Sequence, residues 1–270
     1  MLITENFVVL NFPKTGSSFV RNVVKSLYQR RIDKRPLGKM LSALKIINPG
    51  YVELFPPNPA HAGNKDQHAA YSQIPTQFKH RPIVSAIRSP YQRFESLYRY
   101  KWWAKYPGLD LQILRRNFPQ FPDLSIDDFV LFRELTTRQL KMKYGIPDDI
   151  VIGDQTIKFI NMFFTNPQKV LSQLDTLYMS SDSHIRDIAN VEFLRQENLN
   201  NELADFLARS GFTDAEVEFA RAHRKINVTN LENRRTDKLL TKDTLDYIET
   251  SEWFLLKILS AKGIEYSRPQ

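Results

Sequence analysis

Apolar positions along the chain fall into two alternating textures: short unbroken runs, and longer stretches with helical spacing. Phe7-Val8-Val9-Leu10-Asn11 is too short for a helix and rich in β-branched residues, which is how a buried parallel strand reads. After a turn at Pro13 to Gly16, Phe19, Val23, Val24 and Leu27 recur at helical spacing through Ser17 to Arg30. Pro82 to Ile87 is a second buried-strand candidate, and Pro90 suits the first turn of a helix running to Tyr100. Further helices are expected near residues 125–143, 161–174, 200–210 (stopping at Gly211), 213–224 and 241–261. Val191 to Leu194 reads as another strand, and Asp149 to Ile152 as a short one hemmed in by Pro147 and Gly153. Residues 31–80 carry Pro49, Pro56, Pro57 and Pro59 and read as an irregular, flap-like stretch. Strands alternating with helices predict an α/β fold, with a central, mainly parallel sheet flanked by helices in one domain spanning 1–270.

Composition narrows the picture. A chain of 270 residues with 42% apolar content can bury a sizeable core. Its net charge of +8 favours anionic ligands without choosing among them. The absence of cysteine excludes disulfides, thiolate metal sites and a cysteine nucleophile. No apolar run approaches the roughly 20 residues of a membrane helix. The first residues lack the basic and apolar pattern of a signal peptide, so the expectation is a cytoplasmic chain with no membrane span. Oligomeric state leaves no mark in the pattern.

The first candidate site is Phe12-Pro13-Lys14-Thr15-Gly16-Ser17-Ser18. A helix start presents unpaired N–H groups and the positive end of the helix dipole. Gly16 lets the backbone approach an anion, Ser17 and Ser18 add hydroxyls, and Lys14 adds a full charge, so the turn suits a phosphate or sulfate. The lysine precedes the glycine, unlike the order of the usual nucleoside-triphosphate loop, G-x-x-x-x-G-K-[ST]. The second candidate site runs from Arg81 to Tyr98. Arg88 ends the strand, where open α/β sheets bind ligands, and its planar fork matches phosphate oxygens. Ser96 and Arg93 lie one turn apart on the following helix and share a face.

Pro-Lys-Thr-Gly-Ser-Ser after a strand resembles the 5′-phosphosulfate loop of sulfotransferases that use 3′-phosphoadenosine 5′-phosphosulfate (PAPS). Arg88-Ser89-Pro90 followed by Arg93 and Ser96 resembles the same family's 3′-phosphate segment. The resemblance implies a P-loop-like strand–loop–helix for the phosphosulfate, in which Lys14, Thr15, Gly16, Ser17 and Ser18 take part. It further implies that Arg88 and Ser96, supported by Arg93, hold the 3′-phosphate. Val191 to Leu199 is similar to the strand and Glu-Asn-Leu segment of carbohydrate-type members and carries a structural role. Lys225-Ile226-Asn227-Val228-Thr229 resembles a later segment that closes over the nucleotide, which places Lys225, Asn227 and Thr229 at the cofactor. Residues 178–184 lack the Pro-Gln often found in the family before that strand.

Sulfuryl transfer resembles phosphoryl transfer, so the chemistry needs positioning, charge neutralisation and a base. Lys14 is assigned to the leaving oxygen, with adenosine 3′,5′-bisphosphate (PAP) as product and no metal. His68, in Gln67-His68-Ala69-Ala70, is the first candidate base, His61 the substitute and Glu95 the third. The acceptor implied is a hydroxyl, by analogy a carbohydrate. Tyr98, Tyr100, Trp102, Trp103 and Tyr106 alternate with Arg99, Lys101 and Lys105, which suits sugar faces, acidic ligands, nucleic acid or plain core packing. No site is assigned there. Two other readings stand beside the sulfotransferase. A P-loop kinase lacks its Gly-Lys-Ser/Thr order here, and a basic nucleic-acid-binding module lacks a recognised motif. Nucleic acid is accordingly not an expected partner.

Overall fold

The computed structural model describes residues 1–38, 40, 44, 49–57, 66–224 and 239–270. The chain divides into two compact units. Unit 1 is Met1–Arg88 with Asn190–Asn233, and unit 2 is Ser89–Ala189 with Arg234–Gln270. Among the described residues the strands are β1 (Leu2–Thr4), β2 (Val8–Leu10), β3 (Tyr51–Glu53), β4 (Ile83–Ile87) and β5 (Glu192–Arg195). Among the described residues, the helices of seven residues or more are α1 (Ser17–Asp33), α2 (Pro90–Tyr100), α3 (Leu111–Asn117), α4 (Ile126–Tyr144), α5 (Asp154–Phe163), α6 (Leu199–Arg209), α7 (Asp214–Ala222), α8 (Lys242–Ser251) and α9 (Trp253–Ala261).

All five strands lie in unit 1 as one sheet of order β3-β1-β2-β4-β5, flanked by helices. The fold is α/β as expected, but the sheet is mixed and only partly parallel. β2–β4 and β4–β5 run parallel, with Leu10 opposite Ser85 and Ile87 opposite Arg195. β1 is antiparallel to both β2 and β3. The cause is local. Three residues separate β1 from β2, too few for the crossover that a parallel pair requires. Thr4 closes that turn: its Oγ1 accepts from the N–H groups of Asn6 (3.2 Å) and Phe7 (3.0 Å). The apolar face of α1 (Phe19, Val20, Val23, Val24, Leu27) packs with Phe7, Val9, Val84 and Ala86 from the strands and Leu203 and Leu207 from α6.

Unit 2 is helical with an aromatic core, in which Tyr91 and Phe94 of α2 join Trp103, Phe118, Phe129, Phe132 and Ile248. The expected strand at Asp149 to Ile152 does not form. Buried Lys141 donates to the carbonyls of Asp148 (2.8 Å) and Ile150 (2.9 Å), groups a ladder would otherwise use. The expected helix 161–174 is broken, because Pro167 starts a new short helix (Pro167–Ser172) capped by Asn166. The expected helix 241–261 is two helices, α8 and α9, that part at Glu252. Among the described residues no helix is long and apolar enough to cross a membrane.

Candidate functional site

β2 delivers the chain into the turn of residues 11–16, and α1 begins at Ser17. Two residues of this turn have left-handed backbones, Lys14 (φ 67°) and Gly16 (φ 94°). Such turns curl successive N–H groups around a concavity suited to an anion. Gly16 is required twice over: its φ is strained for any side chain, and a Cβ there would lie 2.7 Å from Leu199 Cδ2 and 3.3 Å from Gln196 Cγ. The Gly16 carbonyl accepts the first helical bonds of α1, from Phe19 (2.9 Å) and Val20 (3.4 Å). The N–H groups of Ser17 and Ser18 therefore sit at the open start of a 17-residue helix.

The hydroxyls are used differently from one another. Thr15 Oγ1 (2.8 Å) and Ser17 Oγ (3.0 Å) both donate to the Phe12 carbonyl and fix the turn from within. Ser18 is exposed. Of the two hydroxyls expected to serve an anion, Ser17's proton is thus spent on the loop, and Ser18's faces solvent.

Arg88 follows directly on β4, the parallel neighbour of β2. Ser85 Oγ donates to the Leu10 carbonyl (3.0 Å), which ties the end of β2 to the middle of β4. Lys14 is half-buried, and its pKa falls from 10.5 to about 8, first through burial and second through the positive charge of Arg88. The two cations are therefore close enough to repel each other.

His68 is held against the end of β2. Its Nδ1 lies 2.7 Å from the Asn11 carbonyl oxygen, which only accepts, so Nδ1 carries the proton and Nε2 presents its lone pair. Asp66 Oδ1 accepts from the His68 backbone N–H (3.1 Å) and lies 3.9 Å from Nε2. Asn11 Nδ2 donates to the Gln67 carbonyl (3.1 Å), which fixes the approach of the 66–68 segment.

In unit 2, α2 carries the other candidates. Arg93 is only 1% exposed, and its Nη1 donates to Gln155 Oε1 (3.0 Å). Gln155 Nε2 in turn donates to the Pro90 carbonyl (3.1 Å). Ser96 is half-buried one turn further along. Glu95 accepts from Arg99 Nε (2.7 Å). His61, Lys225, Asn227 and Thr229 lie outside the described residues.

Four residues at the loop escaped the sequence reading. Asn11 looked like the last residue of a strand, though a polar residue closing an apolar run was a signal for it. Asp66 lay in a polar loop. Gln196 and Leu199 meet Gly16 only because β5 and β2 both flank β4, a proximity no local pattern announces. Comparison of the chain with protein-family models, with curated proteins and with solved structures finds no match.

Proposed function

We propose that this chain is a PAPS-dependent sulfotransferase acting on a hydroxyl acceptor, by analogy a carbohydrate. The observation that carries the reading is the gathering of Lys14 and Arg88 beside the left-handed turn that opens α1, where Lys14's proton affinity falls through burial and through Arg88. Two cations and a helix start suit a ligand that carries more than one anionic group. In the proposed reaction the acceptor oxygen attacks sulfur, the bond from sulfur to the 5′-phosphate oxygen breaks, and the acceptor proton passes to His68 Nε2. Lys14 neutralises charge on the departing oxygen. The tautomer set by the Asn11 carbonyl supports His68 as base. Arg88 is proposed for the 3′-phosphate, and the sequence resemblance adds Ser96 and Arg93 to the candidates for it.

Thermal denaturation with PAP, compared with ATP and magnesium, tests the reading. A ligand that binds only the folded state adds about 2.7 kcal/mol at a hundredfold excess over its Kd. PAP is expected to raise the melting temperature. Lys14→Ala and Arg88→Ala should each reduce the rise, and Arg88→Ala should leave the response to adenosine 5′-phosphosulfate intact. His68→Ala should keep the PAP response and lose turnover. Stabilisation by ATP with magnesium but not by PAP would overturn the proposal.

A further inference from the structure

The aromatic and basic stretch that follows α2 has a use the preceding reading does not absorb. Trp102 and Trp103 are neighbours with opposite fates. Trp103 is 5% exposed, meets Phe121 edge-on and Phe129 and Phe132 at a tilt, and donates its Nε1–H to the Tyr98 carbonyl (3.3 Å). Trp102 is 47% exposed. The anchored ring holds the exposed one in place, and the Tyr106 N–H bond to the Trp102 carbonyl (2.9 Å) closes the turn between them.

Tyr100 and Tyr106 are exposed as well, at 57% and 53%. Tyr100 and Trp102 lie 6.2 Å apart with planes 12° from parallel, and Trp102 and Tyr106 lie 4.4 Å apart at 37°. Lys101, with a left-handed backbone (φ 50°), provides the bend that brings Tyr100 beside Trp102. Three contiguous exposed rings fixed to a packed core are costly to leave in water and mark an interaction surface.

Charge decides the occupant. Arg99 donates to Glu95 (2.7 Å), and Lys101 lies 3.5 Å from the Asp123 carboxylate. Lys105 lies over the Tyr106 ring, 5.4 Å from its centroid. Two of these three cations are thus paired with carboxylates. A nucleic acid needs basic groups clear of carboxylates to meet its phosphates, and Glu95 and Asp123 would repel it. A polyhydroxyl ligand fits better, because hydroxyls both donate and accept, and the rim offers carboxylates and ammonium groups side by side. The rings rest partly on one another, and the half of each that stays exposed offers apolar surface for the C–H faces of sugar rings.

We propose that Tyr100, Trp102 and Tyr106 form a binding platform for a neutral oligosaccharide chain, rimmed by Glu95, Arg99, Lys101, Lys105 and Asp123. The platform is built within unit 2 alone and stands or falls independently of the sulfotransferase reading. The test is calorimetric titration of the full chain with neutral hexasaccharides of gluco, manno, galacto and xylo configuration, beside heparin and poly(U). At least one neutral hexasaccharide should bind, with an affinity that changes little between roughly 50 and 200 mM salt, where polyanion binding falls steeply. Trp102→Ala and Tyr106→Ala should each weaken it about tenfold or more, while Met142→Ala, another exposed apolar position, leaves it unchanged. Unchanged melting temperatures confirm folding, and Trp102→Gln replaces Trp102→Ala should the latter not fold. Failure of every neutral sugar to bind overturns the proposal, as does binding indifferent to both aromatic substitutions. Salt-sensitive binding confined to poly(U) or heparin would make the surface a polyanion site and overturn it equally.

Discussion

Lys14 shows at the scale of one residue how the proposed site trades stability for binding. Its backbone is left-handed, its side chain is half-buried, and Arg88 stands nearby, so the folded chain holds its proton more weakly than the unfolded chain does. A lysine whose pKa falls on folding adds stability only above the unfolded value of 10.5, and that contribution is lost as pH falls toward about 8. At neutral pH its charge therefore opposes folding and awaits an anion. Two consequences follow in opposite directions. Lys14→Met should raise the melting temperature of the ligand-free chain at pH 7 while reducing the response to PAP. In the parent, PAP affinity should fall as pH rises from 7 to 9, because Lys14 loses its proton near 8. Lys14→Arg should flatten that fall, since the guanidinium keeps its charge. A pH-independent PAP affinity in the parent, measured by calorimetry, would contradict the assigned role of Lys14.

Elements show what could and could not be read in advance. β2, α1, β4, α2, α4, β5 and α6 lie close to where spacing and punctuation placed them, because each carries a local signal: an apolar run, helical spacing, Pro90 at a helix start, Gly211 at a helix end. β1 and β3 were missed because their strand character is supplied by partners. Tyr51–Glu53 sits among prolines and becomes a strand only by pairing with β1. The loop at 12–18 was legible as a segment. Its neighbours Gln196 and Leu199 were not, because only the sheet brings them to Gly16. The break between α8 and α9 has a similarly non-local cause. Glu252 turns back to the start of α5, where its carboxylate accepts from Gln155 N (3.1 Å), Thr156 N (2.8 Å) and Thr156 Oγ1 (2.6 Å). It thereby satisfies helix-start donors from 96 and 97 residues away. Gly153 leaves room for it, since a Cβ there would collide with the carboxylate. Glu252→Ala should cost on the order of 3 kcal/mol, because several buried donors lose their acceptor. Gly153→Ala should also destabilise, by displacing the same carboxylate. Urea denaturation at constant m-value measures both, and a loss under about 0.5 kcal/mol in either would place Glu252 outside the support of α5.

At the scale of the whole molecule, net charge and buried titratable groups set the response to acid. The chain carries +8 at neutral pH, and every carboxylate it protonates adds to the positive charge. Two specific groups divide the acid range. Glu216 in unit 1 accepts from Arg31 Nε (2.6 Å) and Nη2 (3.0 Å), which lowers its pKa to about 2. Its contribution is present above the unfolded value of 4.5 and disappears as pH falls from there toward 2. His184 in unit 2 acts earlier. It is fully buried, with Nδ1 2.9 Å from the Ser181 carbonyl oxygen, so Nδ1–H donates and the buried Nε2 has no partner. Burial lowers its pKa first of all. The Ser181 bond works against that shift, Lys257 adds to it, and Asp182 and Asp187 oppose it. The ring packs edge-on against Phe254, 5.4 Å between centroids, so an added charge would face an apolar ring. Its contribution is therefore present above 6.5 and lost as pH falls below that value, while the unfolded chain takes up the proton and the native chain resists it. The loss is at most about 1.4 kcal/mol per pH unit. His184→Phe preserves the ring and removes the titration. Its melting temperature should start below the parent's at pH 7.5, for want of the Ser181 bond, and the gap should narrow steadily by pH 5.5. Parallel pH profiles for parent and variant would mean that His184 does not govern the first stage of acid destabilisation. A gap that narrows only below pH 4.5 would hand that stage to the carboxylates, Glu216 among them.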